Sequence, residues 1–146
     1  MLGSLAKWLR FFGFDAVFFE PGPEDCVLAE RARSEGRWLL TRDRELASAG
    51  PRTMLVRADD LEDQLIEVFG RLGLRPDATL KFSLCSECNS ELVKVAREEV
   101  AGVAPPHVLA TASRFGRCTG CRRVYWPGSH TDKILARMKR VAARLN

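Results

Sequence analysis

At 146 residues, 46% of them hydrophobic, the chain is long enough for one compact domain with a small appended module, and too apolar to be disordered. No apolar run approaches the ~18 residues of a membrane-spanning helix, and the N-terminus lacks the basic stretch and apolar core of a signal peptide. Five cysteines, four of them in two C-x-x-C pairs, point to a metal ion in a reducing compartment, with the cytoplasm as the expected location. The net charge of +4 hides an asymmetry: residues 1–79 carry 11 basic and 14 acidic side chains, whereas residues 114–146 carry nine basic side chains against Asp132 alone. A basic end suits a polyanionic partner, and a solvated basic helix is the plainer reading.

In chain order, Leu2, Leu5, Ala6, Leu9 and Phe12 recur at helical spacing, and Gly13 is placed to cap that helix. Phe14–Phe19 reads as a strand stopped by Pro21-Gly22-Pro23. The spacing predicts a helix over 24–35 that buries Val27, Leu28 and Ala32, with Cys26 as a small core residue. Trp38–Thr41 is a short apolar strand of the kind covered on both faces. A brief helix over 43–48, a strand over 53–57 and a helix over 60–72 follow, the last with Leu61, Leu65, Val68, Phe69 and Leu72 on its core face. Asp59 and Glu62 stand in capping-box spacing at its start. Strands alternating with helices imply an α/β fold with a parallel sheet. The expected organisation is an α/β domain over 1–79, a zinc ribbon over 80–130 and a basic amphipathic helix over 131–146.

A C-x-x-C turn presents two thiolates on one side, and two such turns brought together by a hairpin complete a tetrahedron. Cys85, Cys88, Cys118 and Cys121 are therefore the expected ligands of one structural zinc ion, with iron or a redox dithiol as alternatives. Asn89, tolerant of the left-handed conformation, and Gly120 suit the curl of the chain around the metal. With four thiolates filling the shell, His107 and His130 are surface or packing residues, and His130 is a candidate substrate contact.

Open parallel sheets bind ligands beyond the C-terminal ends of their strands. Asp43 follows the strand Trp38–Thr41 there, either as a ligand for Mg²⁺ or Mn²⁺ or as the N-cap of the next helix. Glu24 and Asp25 open the preceding helix near the same edge, as a second ligand or as favourable charge at a helix start. Arg10 and Arg42 are candidate phosphate contacts.

Leu2-Gly3-x-Leu5-Ala6-x-Trp8-Leu9-Arg10, Gly13-Phe14-Asp15 and Gly36-Arg37-x-Leu39-Leu40-Thr41-Arg42-Asp43-Arg44 resemble the Mut-seven C-terminal RNase domain family, which is PIN-like. The resemblance continues through Cys85–Cys88, Pro105-Pro106, Phe115 and Cys118-x-x-Cys121-x-x-Val124-Tyr125-Trp126-x-Gly128-Ser129-His130, and so spans nearly all but the last helix. It implies a PIN-like three-layer α/β domain with a parallel sheet, followed by a C-terminal zinc ribbon and a terminal helix. It further implies a ribonuclease dependent on Mg²⁺ or Mn²⁺, with Asp43 and Asp25 as the catalytic acids. RNA is the implied substrate, met by Arg10, Arg42, Arg122, Arg123 and His130. Members of the family carry an apolar first strand ending in Asp just ahead of Met-Leu-Gly, placed centrally between 14–19 and 38–41. Either an upstream extension supplies that strand and the protein cleaves RNA, or the scaffold is degenerate and binds RNA or a partner without cleavage.

Overall fold

The computed structural model describes residues 2–20, 24–79 and 82–146. Its elements are α1 (Gly3–Phe11), α2 (Asp25–Ser34), β1 (Leu39–Thr41), β2 (Thr53–Leu55), α3 (Leu61–Leu72), β3 (Leu92–Val95), α4 (Pro106–Thr111), β4 (Phe115–Cys118), β5 (Val124–Tyr125) and α5 (Ser129–Arg144). One-turn 3-10 helices occupy Leu46–Ser48 and Arg97–Val100. The chain divides into two compact units, Met1–Leu5 with Phe18–Leu74 and Ala6–Val17 with Arg75–Asn146, and α1 passes from one into the other. The fold class is mixed α/β, with a parallel sheet in the first unit and an antiparallel one in the second.

In the first unit β1 and β2 run parallel, with Leu39, Leu40 and Thr41 beside Thr53, Met54 and Leu55. The core is drawn from α3, where Leu65, Val68 and Phe69 are fully buried at helical spacing, and from Met54 and Val56. Asp60 is the N-cap of α3, accepting the Glu62 N–H at 2.9 Å. The capping pair expected at Asp59 is therefore displaced by one residue, because Asp59 accepts a 2.6 Å bond from Arg42 Nη2. α3 also closes the outer edge of β2: Arg71 Nη1 donates to the Leu55 carbonyl, and Glu67 accepts the Arg57 and Ala58 N–H groups. The outer edge of β1 differs. Leu39 and Thr41 bond toward β2, so Leu40 faces away, and its N–H and C=O take no partner among the described residues.

Three sequence expectations fail in the segments 14–20 and 24–38. Phe14–Phe19 is extended but forms no strand, because a strand exists only through a ladder and the described residues place none beside it. α2 forms, yet none of its side chains is fully buried: Val27 is 54% exposed and Cys26 lies on the surface. Trp38, expected between two covered faces, lies outside β1 and is 47% exposed. The stop expected at Pro21-Gly22-Pro23 lies outside the described residues.

The second unit holds the sheet β3-β4-β5, with Val95 opposite Phe115, Leu92 opposite Cys118 and Arg117 opposite Val124. The connection between β3 and β4 is not the simple hairpin that the cysteine spacing suggests. It carries the 3-10 turn Arg97–Val100 and α4, which starts on Pro106, where a missing N–H costs nothing. Val100, Ala104, Val108, Ala112 and Phe115 form one core, with Val95, Leu109, Val124 and Trp126 packed against it. α5 buries Ile134, Met138 and Val141 on one face, and Arg137 lies over the Trp8 ring at 5.0 Å. Leu65→Ala is expected to destabilise the first unit by about 2–5 kcal/mol. Hydrogen exchange resolved by segment should show faster exchange through α3, β1 and β2, with residues 82–146 unchanged.

Candidate functional site

The four sulfurs of Cys85, Cys88, Cys118 and Cys121 all lie within 4.8 Å of one another. Cys85 and Cys121 are 3.7 Å apart, and Cys88 and Cys118 are 3.3 Å apart. Zinc–sulfur bonds of ~2.3 Å set tetrahedral sulfurs about 3.8 Å from one another, so the soft, four-sulfur donor set fits a metal such as zinc. Each turn is closed by a residue in the left-handed region just after its second cysteine: Asn89 at φ 69° and Arg122 at φ 66°. Asn89 behaves as the sequence suggests. In the second turn it is Arg122 that takes this conformation, and Gly120 is there for space: a Cβ would collide with the Ser90 side chain and sit 3.3 Å from Cys88 Sγ.

The surroundings favour thiolates unequally. Hydrogen bonding from Ser90 draws the Cys88 thiol down to about 6, whereas burial pushes the Cys118 thiol up to about 11. Cys118 Sγ accepts the Gly120 and Cys121 N–H groups, both at 3.3 Å. The Tyr125 hydroxyl lies 3.0 Å from Cys85 Sγ, and burial raises its pKa. Ser90 lies two residues past Cys88, whereas Tyr125, 40 positions from Cys85, is brought to the sulfurs only by the fold.

The acids stand in the first unit. Asp43 Oδ1 accepts the Glu45 and Leu46 N–H groups at 2.7 and 2.9 Å, and Thr41 Oγ1 accepts the Asp43 N–H. Asp43 thus does cap the turn after β1, through one carboxylate oxygen. Asp25 is exposed on the first turn of α2. α2 leads into β1, and Asp43 stands just past the C-terminal end of that strand. Asp59 follows β2 at the same edge, and Arg42 joins the two post-strand loops by donating to the Ala58 carbonyl and to Asp59. Among the described residues, the cysteines are the one group of three or more ligating side chains that converges.

The other expected site residues are scattered. Arg10 is buried, only 7% exposed, and donates to the Ala16 and Ser86 carbonyls, so it braces the first cysteine turn from within and is not presented to a phosphate. Burial lowers its pKa, against the charges of Cys85 and Cys88. Arg42 is occupied by Asp59. Arg122, Arg123 and His130 are exposed in the second unit.

A parallel α/β unit and a three-stranded unit whose four cysteines are compatible with a zinc ribbon make up a mixed α/β chain. The Mut7-C RNAse domain family model matches residues 1–138, and the chain belongs to that family. No curated protein and no solved structure matches the chain.

Ser90→Ala removes the hydroxyl that stabilises the Cys88 thiolate and is expected to weaken zinc binding about tenfold. Competition against a chromophoric chelator measures this, and an unchanged affinity would remove Ser90 from the metal's surroundings.

Proposed function

We propose that the chain is a ribonuclease dependent on Mg²⁺ or Mn²⁺, with Asp43 and Asp25 holding the divalent ion and a structural zinc on Cys85, Cys88, Cys118 and Cys121. The observation that carries the reading is the state of Asp43 within a chain of this family. Its Oδ1 is fixed by two backbone N–H groups, while Oδ2 takes no partner among the described residues. A carboxylate held in this way keeps one oxygen directed and available, and hard oxygen donors suit Mg²⁺ or Mn²⁺. Such an ion, when bound, polarises a phosphate and lowers the pKa of water. The chain's own part is to hold the carboxylates, with Arg42 tying the loop that carries Asp43 to Ala58 and Asp59.

The isolation of these acids favours a second reading, a protein that binds RNA without cutting it, since no third acid converges with Asp43 and Asp25 among the described residues. Asp43→Asn separates the two. The amide oxygen still caps the Glu45 and Leu46 N–H groups, so the fold is retained, but the ligand charge is gone. Purified protein should cleave RNA in Mn²⁺, and the variant should lose at least a hundredfold in rate, as removal of a metal ligand does. A parent that binds RNA and never cleaves it makes the second reading the correct one.

A further inference from the structure

The second unit carries two adjoining clefts that the acids and the cysteines leave out. One, of about 600 Å³, is lined by Phe82, Arg114, Lys139 and Asp132, and the other, of about 460 Å³, by Trp126, His107 and His130. Pro127 and Gly128 line both, so the two share a wall where α5 begins. The Arg114 guanidinium lies 4.5 Å over the Phe82 ring. Phe82 adopts φ 48°, a region that a bulky side chain takes only when its surroundings enforce it. Trp126 packs on the Val100–Phe115 core and also lines the second cleft.

We propose that this double cleft is the seat of an unpaired RNA strand, its bases stacking on Phe82 and Trp126 and its phosphates meeting Arg114 and Lys139. The inference rests on the reading of the chain as an RNA-acting protein, and it names single-stranded RNA as the form engaged. Bases freed from a duplex stack on aromatic rings and on guanidinium planes, and the Phe82–Arg114 pair offers both. Lys139 makes no ion pair among the described residues, which leaves its ammonium to a phosphate. The run 114–146, with nine cations and one acid, supplies the complementary charge. Asp132, the acid in the first cleft, is an acceptor suited to a 2′-hydroxyl or a base amino group. The sequence hid this site because Phe82 and Trp126 are 44 positions apart and share no motif.

Fluorescence anisotropy with a labelled single-stranded RNA tests this, using zinc-loaded Asp43→Asn protein without added Mg²⁺ or Mn²⁺ so that binding is read apart from cleavage. Phe82→Leu keeps an apolar side chain and removes the ring, and is expected to weaken binding about tenfold, with Phe82→Tyr close to the parent. Lys139→Ala should reduce the salt dependence by about 0.7 of a unit in the log–log slope. With Trp8 and Trp38 replaced by Phe, the remaining Trp126 emission should be quenched on RNA addition. Equal affinity for a blunt duplex, or unchanged binding in Phe82→Leu, overturns the proposal. Each outcome is separable from the ribonuclease reading: a parent that cleaves RNA while Phe82→Leu binds normally refutes the cleft alone. Loss of binding in Phe82→Leu from a parent that never cleaves refutes only the nuclease assignment.

Discussion

Four thiols gathered within 4.8 Å are the constraint on which the second unit turns. Ionised without a cation they would repel one another; bound to one they join β3 and β4 to the turns at either end of the unit. The three-stranded sheet is short, with two residues in β5 and four in each of its neighbours. A sheet of that size with a small core gains little stability by itself, and a metal on the four cysteines, once bound, would add to its folding free energy. Donors collect accordingly around the sulfurs. Ser90 attends Cys88, the Gly120 and Cys121 N–H groups attend Cys118, and Tyr125 attends Cys85. Arg10 adds a buried positive charge behind Cys85 and Cys88, offsetting the excess negative charge of four thiolates around a divalent ion.

The first unit is built on a different balance. Its one fully buried helical face, on α3, serves two purposes: it packs the core, and through Arg71 and Glu67 it closes the outer edge of β2. Among the described residues β1 has no such cover at its outer edge, and the side chains of α2 are all at least partly exposed. Carboxylates at this edge remain hydrated, which suits hard, oxygen-loving cations that exchange readily. The two units therefore differ in the donors they offer, four clustered thiol sulfurs in one and exposed carboxylate oxygens in the other.

Much of this was legible from residue order. The C-x-x-C spacing names four ligands because the geometry of that turn is local, and the left-handed residue after Cys88 is predictable for the same reason. The helix faces of α3 and α5 follow from the spacing of Leu65, Val68 and Phe69 and of Ile134, Met138 and Val141. Asp43 at the end of β1 is readable as a cap or a ligand, and its observed bonds satisfy the first while leaving an oxygen for the second. Where the sequence misled, the cause was always a distant partner. Phe14–Phe19 has a strand's composition but no neighbouring ladder among the described residues. Val27 and Cys26 have core character but are exposed, and Arg10 has the charge of a phosphate contact but lies buried against the Ser86 carbonyl.

By itself, then, the sequence determined the family, the pairing of four cysteines, the basic end and the principal helices, because each depends on spacings of a few residues. Only the tertiary structure decided that Tyr125 attends the Cys85 thiol, that Arg42 joins two loops through Asp59, and that Phe82 and Trp126 line adjoining clefts. Those relations bring together residues 16 to 44 positions apart, and such encounters are governed by packing and loop closure, which no local pattern encodes.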